Sequence, residues 1–315
     1  MFVQEVQEHG AAAAEAAHGV AEKFDAGEVI IHHVANSSID EPLIHLPRVM
    51  GIDFSVTKHV LMLWLVAATV FVVVTWIVRR YLRQDRLVPT GAMNGLEAVV
   101  EFVRDEIVQP NVGKKWVMTW APLLLTFAFF IFTANMIGLI PIFDVLGLLD
   151  HFVLHSGEHS LVKQVMHGGT TATANYNVTA ALATITFFAI IIAGSKAHGV
   201  VKHWMNLVPH GLAWPIYILL IPIEIMGMFV KPFALTMRLA ANMTGGHIAL
   251  LALLSLVFLF AEIGGHAAGI GAGVVMTLPL AIGISLLEVI VVLVQAYVFT
   301  LLTATFVGMA IHVHH

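Results

Sequence analysis

The 315 residues include no cysteine, so disulfides, thiolate metal sites and cysteine nucleophiles are excluded together. Charge is nearly as scarce. Asp, Glu, Lys and Arg make up 11% of the chain, less than half the share of about 25% usual in soluble domains. The charge present leans acidic, at −5 with histidine neutral, which argues against nucleic acid as a partner. Residues 1–53 contain no basic segment leading into an apolar core and do not read as a secretory signal. The sequence also shows no internal repeat of the kind that builds secondary ion transporters.

What remains is apolar. Hydrophobic residues reach 59% and mean hydropathy is +0.89, values that point to an all-α polytopic membrane protein. Apolar runs long enough for a hydrocarbon core of about 30 Å predict membrane spans over 59–78, 116–140 and 177–194, within a membrane domain of 56–311 that follows an extramembrane segment of 1–55. Two longer runs close the chain, at about 212–262 and 274–311. Pro215, Pro222 and Pro232 in the first of these remove backbone donors and predict kinks or restarts. Helices of about 45–55 Å are expected here, too long to stand upright, so they tilt strongly.

Basic residues near span ends set the orientation. Arg79, Arg80, Arg83 and Arg86 follow the first span and Lys196 and Lys202 the third, which places these connections inside and the N-terminus outside. Leu96, Val99, Val100, Val103 and Ile107 recur at helical spacing opposite Glu97, Glu101 and Asp105. Segment 94–108 therefore reads as an amphipathic interfacial helix, with a solvated connector as the alternative.

Arg238 lies at membrane depth, just before an apolar run from Ile248 to Phe260. An arginine at the centre of a membrane helix costs about 2.5–3.5 kcal/mol on insertion scales, so it persists where a partner, water or an ion uses it. The glycine-rich stretch 263–273 suits a turn. An antiparallel hairpin centred on position 267 puts Arg238 level with Gln295 and His247 level with Glu288. Asn242, four residues after Arg238, shares its face, whereas His247 is about half a revolution away. An imidazole beside a carboxylate can pass protons, whereas a guanidinium cannot release its own. A structural hydrogen bond is the plainer reading of His247 and Glu288, and an interhelical bond that of Asn242. Thr170, Thr171 and Thr173 read as an ordinary polar loop entering a helix.

The segment from Lys231 and Pro232 through Arg238, Asn242, Gly245, Gly246 and His247 carries a resemblance to a known family. So do Glu288 with Gln295 to Phe299, Asn135 to Pro141, and Asn177 to Thr179. In this order, over about residues 50–311, they resemble the a subunit of rotary (F-type) ATP synthases. The resemblance implies the stator half of a membrane motor, a proton-conducting subunit without a catalytic site, cofactor or metal of its own. It makes Arg238 the arginine that faces the rotor carboxylate and separates two aqueous half-channels, and Asn242 and Gln295 its polar neighbours. His247 and Glu288 stand where many bacterial relatives carry the acid first and the imidazole second, so the order here is exchanged. Glu224, Lys231, Asn135, Asp144 and Asn177 are candidates for lining the half-channels. The implied partners are a ring of c subunits, peripheral stalk b subunits clamping 79–115, the soluble catalytic sector on the inner side and the lipid bilayer. The implied location is a bacterial inner, energy-transducing membrane.

A membrane metalloenzyme is a second class of reading. His151, His155 and His159 share one face if helical, with Lys163 and His167 continuing the spacing. Ser156 and Gly157 interrupt that helix and no His-Glu-x-x-His occurs, so solvated loop histidines explain the pattern more simply.

Overall fold

The computed structural model describes residues 27, 55–84, 88–139, 171–205 and 214–312. The expectations for the N-terminal segment, for Asp144 and for His151–His167 fall outside them. The described residues build helices and helical turns. Helix α1 spans Lys58–Leu82, α2 Ala92–Glu101, the short α3 Gln109–Val112, α4 Val117–Leu139, α5 Tyr176–His198 and α6 Val200–Met205. The chain closes with α7 over Trp214–Gly264, α8 over His266–Ala272 and α9 over Leu278–Ile311. By length and composition, 5 helical stretches can cross a membrane: His59–Leu82, Val117–Leu139, Tyr176–His198, Pro215–Gly264 and Gly269–Ile311. The chain is an all-α, multi-pass membrane protein.

Of the two expected outcomes, the prolines do not restart the helix. Pro222 and Pro232 lie inside an unbroken 51-residue α7, and a helix of that length extends for about 75 Å. It is longer than expected because nothing restarts it. In lipid, backbone groups freed by a proline find local partners more readily than a broken helix end does. Two other prolines widen the helix before them. Pro110 follows the π-helical turns of Phe102–Val108, and Pro279 follows those of Gly273–Thr277. A ring that neither donates nor fits under the preceding turn is accommodated by that wider spacing. The turn before α8 is also narrower than the glycine-rich stretch suggests. Gly265, with φ 80°, is its only non-helical residue, and helix resumes at His266.

The segment expected as an interfacial helix is α2 with its π-helical extension. Val103, Ile107 and Val108 of the extension are buried, whereas α2 itself buries no residue. The buried three join Val117, Trp120 and Leu124 of α4, Ala189 and Ala193 of α5, and Ala304, Val307 and Ile311 of α9 in one apolar core. A second core gathers Phe127 and Ile131 of α4, Leu182 of α5, Leu235 and Leu239 of α7, and Ala296 and Phe299 of α9. Both cores hold α9 against α4 and α5, and the second adds the middle of α7. On α7 the buried positions run Met228, Pro232, Leu235, Thr236, Leu239, Ala240 and Met243, a stripe at three- and four-residue spacing that leaves the opposite face open.

Candidate functional site

Antiparallel packing of α7 on α9 brings the polar residues of the two helices together in pairs. His247 Nδ1 lies 3.4 Å from Glu288 Oε1, and Asn242 Nδ2 donates to Gln295 Oε1 at 3.0 Å. Gln295 therefore meets Asn242 rather than Arg238, one turn further along α7 than its expected level. Stripe geometry explains the shift: Gln295 is buried, and Arg238 sits between the buried Leu235 and Leu239 stripe and the open face.

Arg238 itself is exposed, on a side of α7 shared with the exposed Ala234, Ala241 and Gly245. It makes no ion pair or hydrogen bond among the described residues. A cation without a side-chain partner among the described residues thus stands among the small Ala234, Ala241 and Gly245.

The His247 end is built from four segments. Thr171 places its hydroxyl 3.1 Å from His247 Nε2, and the imidazole bridges that hydroxyl and the Glu288 carboxylate. A carboxylate facing Nδ1 favours the proton there, which leaves Nε2 to accept from Thr171. The Nδ1 to Glu288 approach is within ion-pair range but not aligned as a hydrogen bond, and Nδ1 is buried without another partner. Glycines make the room. A Cβ on Gly246 would run into the Glu288 carboxylate, and one on Gly138 into the Thr171 side chain.

One turn from Gly138, Asn135 is fully buried and accepts a short hydrogen bond from the Thr173 hydroxyl, while its Nδ2 has no partner. The Thr244 hydroxyl donates to the Ala174 carbonyl at 3.4 Å. Asn175 caps α5 by accepting from the Asn177 amide at 2.8 Å. Segment 171–175 is thus a polar wedge between α4 and α7, not an ordinary loop. Asn175, at the end of the wedge, is buried, and Asn177, in the first turn of α5, is exposed. Glu224 is half-buried. Lys231 places its Nζ 5.6 Å from the centre of the Phe306 ring, a cation–π contact away from the His247 cluster.

Sequence reasoning missed Thr171, Thr173, Asn175, Gly138 and Gly246. The available signal was density: three hydroxyl or amide side chains within 171–175, directly ahead of an apolar helix, are more polarity than a helix cap needs.

The model for the ATP synthase A chain matches residues 60–308. The chain belongs to this family. It is 40% identical to ATP synthase subunit a 2 of Chlorobium luteolum over 293 residues, which is 90% of this chain and 76% of that one. It is 38% identical over 308 residues to ATP synthase subunit a of Pelodictyon phaeoclathratiforme, covering 95% and 80%. It is 36% identical over 330 aligned positions to that of Anaeromyxobacter dehalogenans, covering 98% and 75%. Membership in this family makes the chain part of an ATP synthase complex, in its proton-transporting membrane sector.

Proposed function

We propose that the protein is the non-catalytic, proton-conducting stator of a bacterial ATP synthase, forming two aqueous half-channels separated by Arg238. The observation that carries this reading is the division of α7 into two environments. Arg238 stands on an open face without a partner among the described residues, and nine residues on, about 13 Å along the axis, His247 turns inward to Glu288 and Thr171. An outward cation that keeps its proton suits a barrier that meets a carboxylate on a rotating partner. An inward imidazole between a hydroxyl and a carboxylate suits a proton path.

The small residues flanking Arg238 let a rotor helix approach closely, and a ring of c subunits is the partner with that chemistry. Asn135, Thr173 and Asn175 continue the polar lining beyond His247, and Asn242 with Gln295 bounds it toward Arg238. The basic ends of α1 and α5 favour an inner-membrane orientation with the soluble catalytic sector on their side and the peripheral stalk b subunits near 79–115. One proton crossing 100 mV releases about 2.3 kcal/mol, so several passages must be summed by rotation for each ATP made.

In reconstituted vesicles, Arg238→Ala is expected to abolish proton-driven ATP synthesis and to open a passive proton leak through the membrane sector. Arg238→Lys is expected not to restore full coupling, since an ammonium holds its charge less securely and has fewer donors. Normal synthesis by the Arg238→Ala complex would remove the barrier role.

A further inference from the structure

Three arginines cluster near the end of α1. Arg79 and Arg80 in its last turn, and Arg83 just beyond, line a recess of about 580 Å³ together with Phe71, Val72 and Trp76. The Arg80 guanidinium lies 5.3 Å from the Trp76 ring centre. None of the three arginines forms an ion pair among the described residues. Arg104 of the π-helical segment does: Asp105 holds its guanidinium through two hydrogen bonds of 2.7 and 2.8 Å.

The recess does not end at the arginines. Phe71 and Thr75 also line a second cleft of about 580 Å³, enclosed by α1, α2 and α4 and walled by Ala67, Val70, Val74 and Phe130. Among the described residues, the one charged side chain lining this cleft is Glu97 of α2. A cationic mouth and an apolar interior therefore share a wall, on a helix that crosses the membrane.

We propose that this composite recess binds an anionic phospholipid, with its phosphate on Arg79, Arg80 and Arg83 and one acyl chain lodged between α1 and α4. Guanidinium groups match phosphate oxygens bidentately, and a tryptophan one turn below them sits where the headgroup meets the hydrocarbon. Phe71 is two turns below Arg79, about 12 Å along the axis, so chain and headgroup are reached at successive depths. Glu97 disfavours a phosphate on the α2 side and leaves the arginine side for it. Free phosphate would satisfy the arginines and leave the cleft unfilled. An apolar partner helix would fill the cleft and leave the arginines unmet.

The test uses the intact membrane sector in nanodiscs of mixed phosphatidylcholine and phosphatidylglycerol, with tightly held lipid counted by native mass spectrometry after detergent transfer. Wild type is expected to retain phosphatidylglycerol several-fold over its bulk share. The triple variant Arg79→Gln, Arg80→Gln, Arg83→Gln is expected to lose that enrichment, and Arg104→Gln to keep it. Val74→Trp or the milder Ala67→Leu, which fill the cleft and leave the charges in place, are expected to lower it as well. Excess inorganic phosphate at matched ionic strength is expected to displace nothing. Enrichment that survives the triple variant overturns the site. Enrichment that survives both cleft-filling variants shows headgroup attraction alone, and displacement by phosphate shows an anion site without a lipid; either result also overturns the proposal.

Discussion

At the residue scale, the imidazole of His247 depends on a threonine and two glycines that have no proton chemistry of their own. Thr171 is buried and bonded to Nε2, and leaving a buried polar group without its partner costs about 1–3 kcal/mol. Thr171→Val, nearly the same shape without the hydroxyl, is expected to slow proton-driven ATP synthesis by roughly ten-fold, a loss on the scale of that cost. Thr171→Ser is expected to recover most of it. Synthesis rates in vesicles at matched driving force check both, and equal rates in the valine and serine variants would make the hydroxyl irrelevant. Gly138→Ala pushes a methyl into the Thr171 side chain, and overpacking of this kind is expected to destabilise the fold by about 1–3 kcal/mol. A thermal-stability comparison in detergent reads the effect, with Gly227→Ala, where a Cβ meets open space, as the control.

At the element scale, the connection from α5 to α6 carries a pH-sensitive packing contact. His203 is buried against Gly194, where a Cβ would overlap its ring, and its Nε2 has no hydrogen-bond partner. Burial, and then the neighbouring His198, hold its pKa below the ordinary histidine value. The unfolded segment therefore binds more protons than the folded one between the two values. The stability of the packed segment is fully present above about pH 6.5 and is lost as pH falls through the lowered folded pKa. Hydrogen exchange over α6 is expected to speed up from pH 7.5 to 5.5, after correction for intrinsic rates, and His203→Gln is expected to remove that extra acceleration. The helix turn at Gly265 is the other sensitive connection. A positive φ costs a non-glycine residue roughly 1–2 kcal/mol, so Gly265→Ala is expected to lower thermal stability by about that amount.

At the scale of the whole molecule, several chain ends meet on one side of the bundle. His198 at the end of α5 places Nε2 2.9 Å from the Ile311 carbonyl at the end of α9, and His312 places its Nε2 3.2 Å from the Val112 carbonyl of α3. With the basic ends of α1 and α5 expected inside, reporters after Ile311 and near Arg86 are expected on the same, inner side, and a tag within 151–167 on the outer. An impermeant reagent applied to sealed vesicles of known orientation decides it, and outside protection of the 151–167 tag would reverse the topology. The membrane class, the long apolar helices and the basic span ends were legible because they depend on composition and run length. A restart at a proline does not occur because breaking a lipid-embedded helix costs more than carrying it past a missing donor.

The sequence by itself determined that this chain spans a membrane and carries an arginine, an imidazole and a carboxylate in its last two long helices. Bilayer thickness and the cost of buried charge act on local sequence and need no knowledge of neighbours. Only the tertiary structure decided which polar groups meet. Pairing Gln295 with Asn242 instead of Arg238 is a one-turn choice of helix register, made by how the apolar stripes of α7 and α9 interlock. Bringing Thr171 to His247 joins residues 76 positions apart, through a wedge seated against a glycine on a third helix. Helical periodicity says which face a residue occupies, but close packing of that face against its neighbours sets the partner.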